Sequence, residues 1–236
     1  MKILAIECTA APLSIAVKNH EPVSLRFSSE WRKTAEQILP LISETLNDAG
    51  VLAADLDAVA LSAGPGSFTA LRIGMSCVKG LCFGLNVPLI MIPTLQAIAE
   101  AALSKTQAPI ILPVVHSKAD EFYSAVAVRT EWETSANSEF SLQNDYGILD
   151  ELMQSVAQKE SSAEIAIVGR NLSRFTENMQ PSEQFSFLEA DFFNAAALLP
   201  IAERLFHAKA FAPINDAVPL YLKEFEAKVS KKTPFV

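Results

Sequence analysis

GPGSFTALRIG, at residues 64–74, is the stretch on which the reading of this chain turns. Before it, Asp57 to Ser62 is an apolar run with β-branched content; after it, Phe68 to Phe83 continues as a long helical stretch. Only Gly64-Pro65-Gly66-Ser67 separates the two, so the segment predicts a strand, a tight turn and a helix. The glycines permit the turn, and the backbone amides that follow open the helix. A helix start of this kind can hold an anion, which makes Gly64, Gly66 and Ser67 a candidate anion or nucleotide loop; the same residues serve equally well to reverse the chain. No G-x-x-x-x-G-K-[ST] pattern occurs, so neither the lysine nor the metal-binding hydroxyl of a P-loop is supplied.

Working outward, Lys2 to Glu7 reads as a buried strand, Leu13 to Val17 as its hairpin mate across Ala10-Ala11-Pro12, and Val23 to Phe27 as a third strand. Thr34 to Gln37 has the capping-box form T-x-x-Q, after which Ile38, Leu41, Ile42, Leu46 and Ala49 share one helix face that ends at Gly50. Val87 to Ile92 reads as a strand and Thr94 to Leu103 as a helix, with a boundary between lobes at Ser104 to Pro109. Beyond it, Ile110 to Val115 and Glu121 to Val128 read as paired strands and Trp132 to Ser141 as a polar loop. Ile165 to Val168 reads as a central strand and Asn194 to Lys209 as a helix. Strands interleaved with helices in both halves, opening on a hairpin, predict an α/β protein of two related lobes, residues 1–106 and 107–236.

Composition narrows the functional classes. Half of the 236 residues are apolar and 19% are charged, a globular balance. The apolar run Leu85 to Ile92 is interrupted by Asn86 and Pro88 and stopped by Pro93, well short of the ~20 residues of a membrane span. The opening MKILAIECT has no signal-peptide core, so a cytoplasmic protein is expected. Cys8, Cys77 and Cys82 lack paired spacing and read as buried thiols. A net charge of -8 opposes autonomous binding to nucleic acid, since neutralising phosphates needs Lys and Arg.

The parts ILAIECT, KTAEQILPLI and GPGSFTALRIG, with the VPLI strand and the late VPLYLK at Val218 to Lys223, stand in the order and spacing of the bacterial TsaB family, which this chain resembles along nearly its whole length. The resemblance implies the two-lobed actin, sugar-kinase and Hsp70-like (ASKHA) fold. It further implies a subunit that assembles with TsaD, joined by the ATPase TsaE, to make N6-threonylcarbamoyladenosine at position 37 of tRNAs reading ANN codons. Three places depart from the family pattern: Ala70 replaces a glycine, Lys33 a frequent histidine, and His116-Ser117-Lys118 an Asp-Ala-Arg.

The catalytic sister TsaD carries H-x-x-x-H after the equivalent strand, two imidazoles at i and i+4 that share a helix face. Here Thr94 and Ile98 replace that ligand pair, and His20, His116 and His207 lie in different elements, so no metal and no cofactor are expected. No G-x-S-x-G elbow or H-E-x-x-H occurs, and a metallopeptidase reading fails on the missing histidines. Glu7 is the best single acid: the resemblance implies a first strand ending in an acid that points at the interlobe cleft, and the other reading is a strand-end carboxylate facing water.

In the helix from Phe68 the charges Arg72 and Lys79 are seven apart, on one face, and the rest is apolar or small. Gly74, Gly80 and Gly84 read as close approach by another backbone or as tight internal packing. The resemblance implies a TsaD interface on the two helices of the first lobe, with Ile38, Leu41, Ile42, Leu46, Leu71, Gly74, Met75, Val78 and Leu81 as candidates. The same face is expected to pair two copies of the chain when TsaD is absent, and tRNA is expected to be met only through the complex. The alternative is an ATP-dependent phosphotransferase of the same superfamily. That needs phosphate loops in both lobes, and only Gly64 to Ser67 is a candidate.

Overall fold

A computed structural model describes residues 1–19, 21–134, 142–160, 163–177 and 182–222. The first half holds strands β1 (Ile3–Glu7), β2 (Leu13–Lys18), β3 (Ser24–Ser28), β4 (Ala58–Ser62) and β5 (Leu89–Ile92), with helices α1 (Thr34–Asp48), α2 (Phe68–Leu85) and α3 (Thr94–Ala102). They form one sheet in the order β3-β2-β1-β4-β5. β1 pairs antiparallel with β2 and parallel with β4, so the sheet joins a hairpin meander to two crossover strands.

The second half repeats this order. It comprises β6 (Ile110–Lys118), β7 (Glu121–Ala125), β8 (Ala127–Val128), α4 (Arg129–Thr134), β9 (Asn144–Ile148), α5 (Leu149–Lys159), β10 (Ile165–Gly169), α6 (Ser173–Thr176) and β11 (Phe185–Glu189). Its sheet runs β9-β7-β6-β10-β11, with the short β8 also paired to β6. Apart from β8, the third, second, first, fourth and fifth strands of each half lie side by side in the same sequence. The chain then makes a turn of 3₁₀ helix (Ala195–Leu198) and a last helix, α7 (Leu199–His207).

Strand parity sorts the residues into layers. Ile3, Ala5, Ala58, Ala60, Ile90 and Ile92 face the middle of the molecule, where they meet α3, α7 and the inner face of the second sheet at Ile111, Ala166 and Val168. Their neighbours Leu4, Ile6, Val59 and Leu61 face outward and are covered by α1 and α2. On the far side Ile110, Leu112, Ile165 and Ile167 are covered by α5. The middle layer is rich in alanine, and such short side chains let the two sheets and the helices between them approach closely.

Several details differ from the sequence reading. Thr34 is the first helical residue of α1 and not its cap; the cap position falls on Lys33, whose side chain makes no capping bond. Gly50, at φ +61°, does sit just past the end of α1. β9, α5 and β11 were not anticipated, and Arg129–Thr134 is helical where a loop was expected from Trp132; residues 135–141 of that loop lie outside the described residues. α2, with 18 residues at a mean hydropathy of 1.3, is long and apolar enough to span a membrane, contrary to the expectation that no run reaches that limit. Its composition has another cause here: it packs on β4, β5 and α1.

We propose a division of the lobes between residues 106 and 107. The linker there is gripped by Arg129, which donates to the carbonyls of Leu103 at 3.3 Å, Thr106 at 2.6 Å and Ala108 at 3.2 Å. After β11 the chain returns to the first sheet: α7 packs on β1, β4 and β5, Ala212 bridges to Leu89, and the Leu220 amide donates to the Ala63 carbonyl at 2.8 Å.

Candidate functional site

A cleft of about 480 Å³ opens between the two sheets at the ends of β1, β6 and β10. It is lined by the β1–β2 turn (Thr9, Ala10, Ala11), the start of α2 (Gly66, Ser67, Phe68) and Thr94 and Ile98 of α3. The second lobe contributes Val114 to Ser117, Tyr123, Arg170 and Asn171, and Phe193 completes the wall. Glu7 has the parity of Ile3 and Ala5, so it points into the middle layer from the end of β1. It is 0% exposed, which rules out the reading as a carboxylate facing water. Its Oε1 accepts from the Thr9 amide at 3.0 Å and the Thr9 hydroxyl at 2.5 Å, and lies 3.6 Å from Nη1 of Arg170.

The Gly64–Ser67 turn is held from within. The Gly64 amide donates to Thr94 Oγ1 at 3.1 Å, and the Ser67 amide donates to the Thr9 carbonyl at 2.7 Å. Pro65 has no N–H, so two of the turn's three amides are already committed. Gly66 is required by proximity: a Cβ there would sit 2.5 Å from the Cβ of Thr9. Thr94 and Ile98, the positions of the missing ligand pair, both line the cleft. His116 also lines it, with Nε2 2.8 Å from the Ala119 carbonyl and its ring against Phe122 and Phe175. His207 ends α7, and His20 lies outside the described residues. Among the described residues no three His, Cys, Asp or Glu side chains converge as a metal site would require.

A second concavity, open and mostly apolar, runs between α1 and α2. It has a volume of about 590 Å³ and is lined by Ala35, Ile38, Leu39, Arg72, Ile73, Ser76, Cys77, Gly80 and Leu81. Leu39 is 55% exposed at its rim. The helix pair named from the sequence is thus brought together, and most of the residues chosen on it face the chain's own core. Leu41, Ile42, Leu46, Leu71, Gly74, Met75 and Val78 are buried within the chain's own core. They were picked for apolarity, and the most apolar stripe of each helix is the one its own sheet covers. A Cβ on Gly74 would lie 2.4 Å from the Cys8 sulfur, whereas Gly80 and Gly84 have nothing within 4 Å. The close approach is therefore internal at Gly74, and at the other two there is none among the described residues.

The Arg72 and Lys79 face of α2 is covered by the returning segment of the chain. Lys79 Nζ donates to the carbonyls of Asn215 and Ala217 at 3.1 Å each, and Arg72 Nε donates to the Tyr221 hydroxyl at 3.2 Å. The guanidinium of Arg72 also stacks 3.8 Å over the Phe68 ring. The VPLYLK stretch singled out in the sequence belongs to this strap as far as Leu222; Lys223 lies outside the described residues. Cys8 and Cys82 are buried, and Cys77 stands partly exposed in the groove. Burial pushes the Cys77 and Cys82 thiols up to about 11 and raises Cys8 further, with the neighbouring Glu7 charge adding to its shift.

Two sheets of one repeated strand order, enclosing a cleft at their strand ends, make this an α/β protein of the actin, sugar-kinase and Hsp70-like type. The family profile described as "TsaD: tRNA N6-adenosine threonylcarbamoyltransferase" matches residues 30–228, and the chain belongs to that family. It is 27% identical over 225 residues to the tRNA threonylcarbamoyladenosine biosynthesis protein TsaB of Escherichia coli K12, covering 94% of this chain and 95% of that one. With TsaB of Haemophilus influenzae it shares 28% identity over 167 residues, 71% of this chain and 66% of the relative. YeaZ from Pseudomonas aeruginosa has the same fold, with a TM-score of 0.76 at 24% identity over 94% of this chain and 99% of that one. The TsaB resemblance read from the order of motifs is thereby borne out.

Proposed function

We propose that this chain is a non-catalytic subunit in the biosynthesis of tRNA threonylcarbamoyladenosine, working in the cytoplasm. It binds a TsaD-type catalytic subunit through the α1–α2 groove and favours that partner's active arrangement, with a TsaE-type ATPase joining the complex. The product is N6-threonylcarbamoyladenosine at position 37 of tRNAs reading ANN codons. The observation that carries this reading is Thr94. Where a TsaD-type enzyme would place a histidine, this residue is bonded both ways to Gly64 and holds a turn in place.

The groove supports the partner assignment, because an open apolar trough between two helices fits an apolar helical face. The same trough would serve to pair two copies when the partner is absent. Surface cations support the indirect route to tRNA: Lys2, Lys18, Arg26, Lys33, Lys118 and Arg204 are each paired with an acid. The effect on the partner is limited to the difference in this chain's affinity for the partner's competing arrangements.

The test is a tRNA modification assay with purified components, each omitted in turn, reading the modified nucleoside by mass spectrometry. Modification is expected only when this chain and its TsaD-type partner are both present. Full activity without this chain, or modification by this chain with no partner, would refute the proposal. Multiple-turnover ATP hydrolysis by the chain alone would favour the phosphotransferase instead.

A further inference from the structure

Glu7 and Arg170 belong to different sheets and meet inside the cleft. Strand parity carries Glu7 toward the second sheet, and Arg170 follows β10 immediately and turns back toward the first. At 3.6 Å the contact is an ion pair and not a hydrogen bond, with Glu7 0% and Arg170 13% exposed. Arg170 is also tied to the chain crossing between the sheets. Its Nη2 donates to the Phe193 carbonyl, and its guanidinium lies 5.1 Å from the centre of the Phe193 ring. Ser14, the cross-strand partner of Glu7, accepts the Ala195 amide at 3.0 Å. Ser14 on the first sheet and Arg170 beside the second therefore both hold one crossover segment, residues 193–195, and Glu7, next to Ser14, faces the guanidinium that grips it.

Among the described residues lining the cleft, Arg170 is the one Lys or Arg. We propose that the Glu7–Arg170 pair is an interlobe latch: it holds the two sheets in one closed arrangement and, by engaging the cleft's guanidinium internally, keeps phosphate-bearing ligands out. The physical basis is asymmetry. A buried charge whose partner is removed must regain water, and the route to water here is separation of the lobes. A guanidinium released from its carboxylate becomes a fork for phosphate oxygens. The inference rests on this geometry and does not depend on the partner proposed above.

The experiment places spin labels at Ala11→Cys and Ser117→Cys, which line the cleft from opposite lobes, in a Cys77→Ser background where the remaining thiols of Cys8 and Cys82 are buried. Pulsed dipolar spectroscopy should give one narrow distance distribution. Glu7→Gln and Arg170→Gln should each broaden and lengthen it, and the double variant should go no further than the singles, because all three lose the same contact. If Glu7→Gln does not fold, Arg170→Lys keeps the charge but loses the two-point grip, and the same broadening is expected. In parallel, Glu7→Gln should bind inorganic phosphate at least tenfold more tightly than the background. Unchanged distances in a folded single variant, or independent effects that add in the double, would overturn the latch. Equal phosphate affinity would overturn the exclusion.

Discussion

Thr94 and Gly64 are bonded in both directions: the Thr94 amide donates to the Gly64 carbonyl at 2.8 Å, and the Gly64 amide returns to Thr94 Oγ1 at 3.1 Å. The same hydroxyl lies 3.0 Å from that of the fully buried Ser62. One side chain thus sets the turn from β4 into α2. Thr94→Val keeps the shape but leaves the Gly64 amide without its acceptor, at a cost of about 1–3 kcal/mol. Chemical denaturation should show this loss, and Thr94→Ser, which retains the hydroxyl, should recover most of it.

The three glycines of α2 should separate cleanly. Gly74→Ala places a methyl where the Cys8 sulfur is 2.4 Å away, so the core must shift and stability should fall by about 1–3 kcal/mol. Gly80→Ala and Gly84→Ala meet nothing within 4 Å and should stabilise the helix by about 0.5–1 kcal/mol. Thermal melts of the three variants check the order.

Association with the TsaD-type partner should be sensitive at the groove and not at the buried stripe. Leu39→Asp, at a position 55% exposed, and Gly80→Leu, which fills the trough, should each weaken binding by roughly tenfold or more, as expected for a residue central to an interface. Neither should lower the melting temperature of the isolated chain. Calorimetric titration against the partner, beside a melt of each variant, distinguishes a lost interface from a lost fold.

Cys77 provides a chemical report on the same groove. Because burial raises its pKa to about 11, roughly one thiol in a thousand is ionised at pH 8, and the thiolate is the reactive form. Its labelling by a thiol reagent should be slow, should accelerate about tenfold per pH unit up to about pH 10, and should stop when the partner is bound. Reagent kinetics with and without the partner test this; equal rates would place the interface elsewhere.

The first lobe was legible because its signals are local. β1, β2, β4 and β5 are apolar runs bounded by turn residues, and Gly50 and Gly64 mark ends that need positive φ. The second lobe was harder to read for two reasons. β9, NDYGI, is a polar edge strand without alternation, and β11 is a half-buried edge strand. α5 is different: Leu149, Leu152, Met153 and Val156 carry a plain helical period that the sequence did display. In the cleft, Glu7 was recognisable by its place at a strand end, but Arg170 was not. Their meeting depends on how two sheets stack, which no spacing within the chain encodes.

The return of residues 195–220 to the first sheet bears on the order in which the protein is made. The first lobe's five strands are complete by Ile92, yet α7, the bridge from Ala212 to Leu89 and the contact from Leu220 to Ala63 come from chain that follows all six strands of the second lobe. During synthesis at the ribosome the first sheet therefore waits, with the edge of β5 and the Arg72–Lys79 face of α2 bare, until residues 195–220 emerge. Docking of this strap is the event that closes the first lobe, covering the Arg72–Lys79 face of α2.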